Sequence, residues 1–419
     1  MTGNALWPYL VSPEDQGRDD LCAVSASGHR VRFADGGDLL CGTSGLWNVN
    51  LGYGNAAVAD AIAAAARDAS YLTVFRYENR TARSAAEALV RVCGPDDYAR
   101  VIFSTSGGAA NDAAMKLARH YHALRGDAAR TVLVGLRNSY HGLTFGGFAL
   151  TGEDLGQRLY GVDQRLVRHL PPNSVPHLTE LLGREGRRIA AVVVEPVQGS
   201  GAVPLTEEYV GALLELRDRY GFLVVADEVA TGFGRTGDFL ATHRWPSAPD
   251  VLLLSKALTN GTCAAAAIVV SPAVADAFTW TGSTLGHAET QGGTAVTCAA
   301  VLATLAEMDR LGAVDNARKL GDRLAAELAE PSTLHPLVTG VTGIGCFWGL
   351  RLRTPSGGDL PQTEVGRVVH AIRRAGVIVH PGPAGVQLVP ALTYTDADLT
   401  ELLDGVRRGL DAYARGTDS

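Results

Sequence analysis

Residues 222–237 read FLVVADEVATGFGRTG, and residues 251–261 read VLLLSKALTNG. Each opens as a short apolar run and ends on charge: Asp227 and Glu228 in the first, Lys256 in the second. A continuous run rich in Val and Leu suits a strand covered on both faces, as at the centre of a parallel sheet. Two neighbouring strands of that kind set a carboxylate and a lysine at the carboxyl edge of one sheet. Ligands of open α/β folds bind at that edge.

Outward from this pair, strand candidates at 99–105 (ARVIFST), 131–138 (TVLVGLRN), 190–196 (AAVVVEP) and 264–271 (AAAAIVVS) alternate with helical patterns such as AANDAAMKLARHYHALRG and TEEYVGALLELRDRYG. The alternation predicts an α/β fold: a mainly parallel sheet with helices on both faces. Residues 56–70 are Ala-rich without Gly or Pro and read as helix, and 294–330 read as one long helical stretch leading out of this region. The first fifty residues read as short strands and turns. Beyond about residue 331 a second strand-and-helix pattern runs through GIGCFWGLRL, EVGRVVHAIRRAG, GVIVHPG, GVQLVPALT and the amphipathic DADLTELLDGVRRGLDAYA. The expected division is a large domain over 56–314 and a smaller α+β domain built from 1–55 and 315–419.

With 419 residues and 46% hydrophobic content, the chain can bury a large core in two or more domains. A net charge of −7 gives no electrostatic reason to expect nucleic acid or an anionic membrane as partner. No apolar stretch approaches the roughly 18 residues of a transmembrane helix, and the N-terminus lacks the basic start and apolar middle of a signal peptide. Cytoplasm is the expected location. Six cysteines (Cys22, Cys41, Cys93, Cys263, Cys298, Cys346) lie far apart with no Cys-x-x-Cys pair, which reads as buried free thiols rather than a zinc or disulfide framework. His120 and His122, two apart on a helix, point to different faces. No metal site is expected.

Three strand ends carry candidate chemistry. In STSGGAANDAAMKLAR (104–119) a strand runs through two glycines into a helix, a turn whose amides and dipole favour an anion. It is not a nucleoside-triphosphate loop, and no G-x-G-x-x-G opens a βαβ unit near the start. RNSYHG (137–142) ends a strand on Tyr140, which suits either stacking on a planar ligand or plugging the sheet end. Glu195 in VVVEPVQGSG closes another apolar run, where a buried carboxylate needs a partner and a solvated strand end does not.

Taken together and in order, SGGAAND, NSYHG, VVVEPVQG, VVADEVATGFGRTG and LLLSKALTNG resemble the class III, or omega-type, aminotransferases. These are pyridoxal-phosphate enzymes of fold type I, the aspartate aminotransferase fold. The resemblance extends from GLWNVNLGYG (45–54) to LVPALT (388–393). It implies that Lys256 forms the Schiff base with pyridoxal 5′-phosphate and then moves a proton between substrate carbon and cofactor. It implies that Asp227 keeps the pyridine nitrogen protonated and that the amides of Gly107 and Gly108 hold the phosphate. Tyr140 and Val229 then flank the ring, with His141 beside Tyr140, and Glu195 is counted among the cofactor-binding residues. GHAETQGGTAV (286–296) resembles the region that sends a threonine, Thr290, to the phosphate of a second subunit, so the implied assembly is a homodimer with shared active sites.

The departures bear on substrate. The family's usual Ser-Gly-Ser or Ser-Gly-Thr turn followed by Glu-Ala-Asn is Ser106-Gly107-Gly108-Ala109-Ala110-Asn111 here, without a hydroxyl donor and a carboxylate, which implies weaker cofactor retention. Ala230 stands where some members carry glutamine. Members handling amino acids carry an arginine where this chain has Gln387, and others a mobile arginine near His380; neither position holds a permanent cation. Trp47 resembles the aromatic of the substrate pocket. The expected substrate is an amine, an aminoketone, or a ketone on a larger molecule, lacking a free α-carboxylate. A modified peptide C-terminal ketone, as in daptide-type biosynthesis, is one such case. The alternatives are a racemase, aminomutase or decarboxylase of the same fold, a nicotinamide-dependent oxidoreductase, which would need the missing glycine fingerprint, and a non-catalytic binder, which has no need of both Asp227 and Lys256.

Overall fold

A computed structural model describes residues 5–416. Seven strands form the central sheet: β1 (Arg100–Ser104), β2 (Val132–Leu136), β3 (Val167–Leu170), β4 (Ile189–Val194), β5 (Leu223–Asp227), β6 (Val251–Leu254) and β7 (Ala266–Val270). Their spatial order is β1-β7-β6-β5-β4-β2-β3. Only β7 runs against its neighbours, pairing antiparallel with β6 and β1; the pairs β6-β5, β5-β4, β4-β2 and β2-β3 are parallel.

Every residue of β2, β4, β5 and β6 is buried, the burial that uninterrupted apolar runs demand. Successive side chains alternate between the sheet's faces. Leu133, Ala191, Val193, Leu223, Val225 and Leu253 pack with Ala110, Ala113, Ala114 and Leu117 of the helix Gly107–Leu124. Val132, Val134, Val192, Val194 and Val224 pack with the helices Val175–Glu185 and Glu207–Tyr220. At about 1.5–3 kcal/mol for each fully buried Val or Leu, two covered faces hold the strand ends rigid.

The first fifty residues contribute three strands, Ala23–Ser27, Arg30–Phe33 and Asp38–Cys41, and the last of these pairs in parallel with Val377–Ile378 near the other end of the chain. A separate antiparallel sheet joins Val338–Ile344, Phe347–Leu352, Gly385–Leu388 and His380–Gly382.

Two expectations are corrected. The single helical stretch over 294–330 is two helices, Ala295–Arg310 and Ala313–Leu328, divided where Gly312 turns left-handed with φ 56°. The cysteines are all free, yet only Cys41, Cys93, Cys298 and Cys346 are buried. Cys22 is exposed beside the wholly exposed edge strand Ala23–Ser27, and Cys263 is half-buried. His122 meets the carbonyl of Ala190 at 2.9 Å, while the His120 ring lies edge-on to Phe278. Among the described residues, no helix is long and apolar enough to cross a membrane.

Candidate active site

The carboxyl ends of β1, β2, β4, β5 and β6 bring the conspicuous residues together. After β1, Ser106 caps the helix Gly107–Leu124, its hydroxyl accepting the Ala109 N–H at 3.2 Å. The helix opens on two glycines because backbone approaches backbone there. A Cβ on Gly142, whose φ is 106°, would lie 2.5 Å from the Gly108 Cα, and one on Gly107 would lie 3.1 Å from Val229. The result is a cradle with exposed amides at the N-terminus of an 18-residue helix, suited to a phosphate.

Asp227 ends β5 and is 3% exposed. Its Oδ2 accepts the Asn111 Nδ2–H at 2.9 Å and stands 2.8 Å from His141 Nδ1, and its Oδ1 accepts the Val229 N–H at 3.2 Å. Burial pulls the His141 pKa down, but the Asp227 hydrogen bond and charge, aided by Glu195, outweigh it, so the imidazole ends above its ordinary value. Its Nε2 and the Asn111 Oδ1 are buried without a partner among the described residues.

Two residues beyond β6, Lys256 takes a left-handed backbone, φ 48°, a conformation that costs an L-residue about 1–2 kcal/mol. Its Nζ lies 4.6 Å from the centre of the Trp47 ring system. Desolvation lowers its pKa against the opposing pull of Asp227 and Glu195, which enlarges the neutral, nucleophilic fraction.

Glu195 is 4% exposed and accepts the N–H groups of Tyr140 at 3.0 Å and Gly199 at 2.9 Å. Burial lifts its pKa to about 7. Tyr140 is itself 42% exposed at the mouth of this edge.

Trp47 (φ 62°) meets the His380 ring edge-on at 4.9 Å and Phe347 at 5.1 Å. A Cβ on Gly199 would lie 3.0 Å from the indole and 3.1 Å from the Glu195 carboxylate, so only glycine lets the two close in there. His380 pairs with Gln387 across the antiparallel sheet. Burial and the Lys256 charge push the His380 pKa down to about 4, leaving a neutral ring. Gln387 is 1% exposed, and its Nε2 donates to the Gly199 carbonyl at 2.7 Å. The structure thus brings Trp47, His380 and Lys256 together and sets Gln387 behind Gly199. Thr290 stands apart: it is exposed, its carbonyl accepts the Tyr71 hydroxyl at 2.9 Å, and no contact links it to Lys256 or Asp227 of its own chain.

The sequence quoted Asn111 without a role, although its place four residues after Gly107 puts it on the same helix face; there its Nδ2 also donates to the Gly107 carbonyl at 3.1 Å. Arg235, inside GFGRTG, likewise carries no signal of its role in the sequence. It is fully buried and, among the described residues, ion-pairs with no carboxylate. It donates to the carbonyls of Cys346 (3.1 Å) and Pro390, to the Ser44 hydroxyl (3.1 Å) and to the Asn50 side-chain oxygen. Burial lowers its pKa to about 10.

The residues present fit a phosphorylated aromatic aldehyde. Amides await an anion at Gly107 and Gly108, a carboxylate held by two side chains awaits a ring nitrogen, and a desolvated amine awaits a carbonyl. The sequence matches the family described as Aminotransferase class-III over residues 12–410. The chain belongs to the class-III aminotransferases. It is 31% identical over 97% of its length to the adenosylmethionine-8-amino-7-oxononanoate aminotransferase of Nitratidesulfovibrio vulgaris, of which the match covers 80%. With the acetylornithine aminotransferase of Mycobacterium leprae it shares 35% identity over 80% of this chain and 78% of that one. Its fold superposes with a TM-score of 0.92 on a PLP-bound amine transaminase from an uncultivated Pseudomonas species, at 30% identity and 99% coverage of both chains. As a class-III aminotransferase of fold type I, this protein uses pyridoxal 5′-phosphate.

Proposed function

We propose that this class-III aminotransferase exchanges amino groups between amines and ketones whose reacting carbon bears no carboxylate. The observation that carries this is the chemistry of the two positions where amino-acid-handling members place a cation. Gln387 has its amide turned to the Gly199 carbonyl, and His380 is neutral across ordinary pH. A carboxylate brought beside Trp47 would find no fixed positive charge at either place and would face Glu195, whereas an apolar amine would meet indole and imidazole, with Phe347 packed behind the indole. The likeness to a protein named as an amine transaminase supports the same reading. A ketone at the end of a larger molecule, such as a modified peptide C-terminus, lies within this class.

Pyridoxal phosphate, when bound, supplies the electron sink that makes a substrate C–H bond acidic. Gly107 and Gly108 would hold its phosphate through backbone amides, and Tyr140 and Val229 would hold its ring. Asp227, fixed by Asn111 and His141, keeps a proton on the ring nitrogen by charge. Lys256 Nζ would accept the proton from the substrate carbon and hand it back on the far side of the amino nitrogen, a role that requires a neutral amine, as its desolvation favours. In this reading residues 56–314 carry the cofactor, and 1–55 with 315–419 form the domain that supplies Trp47, His380 and Gln387. Thr290 reaches the phosphate of a second subunit, which makes the homodimer the working unit.

A half-reaction screen tests it. Each amine or amino acid is mixed alone with the yellow enzyme, and loss of the visible band is followed. Stoichiometric conversion by aryl or alkyl amines is expected. Conversion by α-amino acids only overturns the substrate reading, and amine binding without conversion points to a racemase, aminomutase or decarboxylase.

A further inference from the structure

The loop that presents Thr290 is bound to the phosphate turn of its own chain through the preceding residue. The Glu289 carboxylate accepts the Thr105 N–H at 3.0 Å and the hydroxyls of Ser104 and Thr105, and His287 Nε2 stands 3.1 Å from its Oε1. Ser104 is the last residue of β1, and Thr105 leads directly into the Ser106 cap and the Gly107–Gly108 cradle. One side chain therefore fixes the lead-in of the anion site.

The other side of the loop is held as firmly. The Tyr71 hydroxyl donates to the Thr290 carbonyl, Asn79 Nδ2 donates to the Gly293 carbonyl at 2.9 Å, and a Cβ on Gly292 would lie 2.9 Å from the Phe103 carbonyl of β1. Held by backbone and by Glu289, the loop leaves Thr290 itself facing outward.

A carboxylate so close to an anion-binding turn repels the anion unless donors absorb its charge. Here they do. Burial pushes the Glu289 pKa up, and the bonds from Ser104, Thr105 and His287 outweigh burial, so the group stays ionised. Lys116 Nζ, 3.4 Å from His287 Nδ1, extends the neutralising chain to the surface.

We propose that Glu289 is a positioning residue that ties the phosphate turn of its own subunit to the threonine which that subunit lends to its partner, coupling the two cofactor sites of the dimer. This rests on the proposed reach of Thr290 into the second subunit. A displacement of Glu289 shifts the Gly107–Gly108 amides on one side and Thr290 on the other, so each cofactor site depends on the Glu289 of both chains.

Hybrid dimers test the coupling. One subunit carries Lys256→Ala, which silences its visible band, so the other site alone reports its affinity for pyridoxal phosphate. Glu289→Gln, which keeps shape and removes charge, is placed in the reporting subunit or in its partner. We expect cofactor affinity to fall about tenfold when the change lies in the reporting subunit, the equivalent of one charged hydrogen bond, and about threefold when it lies in the partner. The apoenzyme melting temperature stays unchanged. Thr105→Val, which removes one hydroxyl donor and leaves the carboxylate, gives the same two-sided pattern at smaller size. An effect confined to one subunit, or none in either, overturns the coupling. Thr290→Ala in the partner subunit separates the two ideas: a loss there, with Glu289→Gln silent from the same side, leaves the shared site standing and removes the coupling. No loss there overturns both.

Discussion

The cofactor end and the substrate end of the proposed site are held by different means. Asp227, Lys256 and the Gly107–Gly108 turn stand at the ends of strands in one covered sheet; Asp227 and the turn are fixed by directed hydrogen bonds, and Lys256 reaches from there to the Trp47 ring. Trp47, His380 and Gln387 come from segments more than 300 residues apart in the chain and meet through ring edges and a backbone carbonyl. Ring contacts are broad in geometry and tolerate exchange; a charge-assisted bond at 2.8 Å does not. The difference teaches where this enzyme is able to change substrate without losing its chemistry.

Removing the centre of the cofactor end breaks the comparison most severely. Lys256→Ala should abolish the visible band and lower turnover by at least about a thousandfold, the scale of a positioned acid-base group; single-turnover spectroscopy reads both. Asp227→Asn should retain cofactor while turnover drops about a hundredfold, as when one preorganised electrostatic contact is removed, and a wild-type kcat would contradict the assigned role.

The substrate end should respond by changing preference rather than by losing rate. Gln387→Arg supplies a cation where amino-acid-handling members carry one. The ratio of kcat/KM for an α-amino acid over a simple amine should rise about tenfold, one charge-assisted bond's worth. Competition assays with both donors present would expose an unchanged ratio.

Glu195 lies between the two ends, and its contribution to stability depends on pH. Its folded pKa of about 7 is raised above the ordinary 4.5. The stability it contributes is therefore complete below about pH 4.5 and is lost as pH rises through about 7. Glu195→Gln should gain on the wild type across that interval, measured as the difference in melting temperature of the two holoenzymes. A constant difference from pH 4.5 to 8 would show that the carboxyl does not titrate there.

The same contrast explains what was legible. Apolar runs that end in charge disclose a parallel sheet and its functional edge, because both faces of such strands must be buried. β4, β5 and β6 therefore appear in the sequence with their starts within a residue of the observed ones, while the apolar candidates run past the observed ends at Val194, Asp227 and Leu254. Asp227 and Lys256 were visible for the same reason: each interrupts a run that has no local use for charge. Asn111 and Glu289 were not, since a polar residue on a helix or a loop is ordinary until a long-range partner is known. The break at Gly312 was missed because one glycine inside a helical pattern is tolerated as often as it is a stop. Gln387 was placed by its motif, but the turn of its amide toward Gly199 depends on a backbone carbonyl 188 residues away.

Arg235 has a consequence for dissecting the molecule. Its guanidinium draws acceptors from residues 44, 50, 346 and 390. With no carboxylate bonded to it among the described residues, any fragment that omits one of these stretches leaves a buried cation short of acceptors, a fault costing several kcal/mol. The sheet-bearing middle of the chain is thus not a separable module: a truncated version that lacks either flank should accumulate as insoluble protein. Grafting a foreign substrate-binding flank onto this core will succeed only if the graft brings its own four oxygens to the same place.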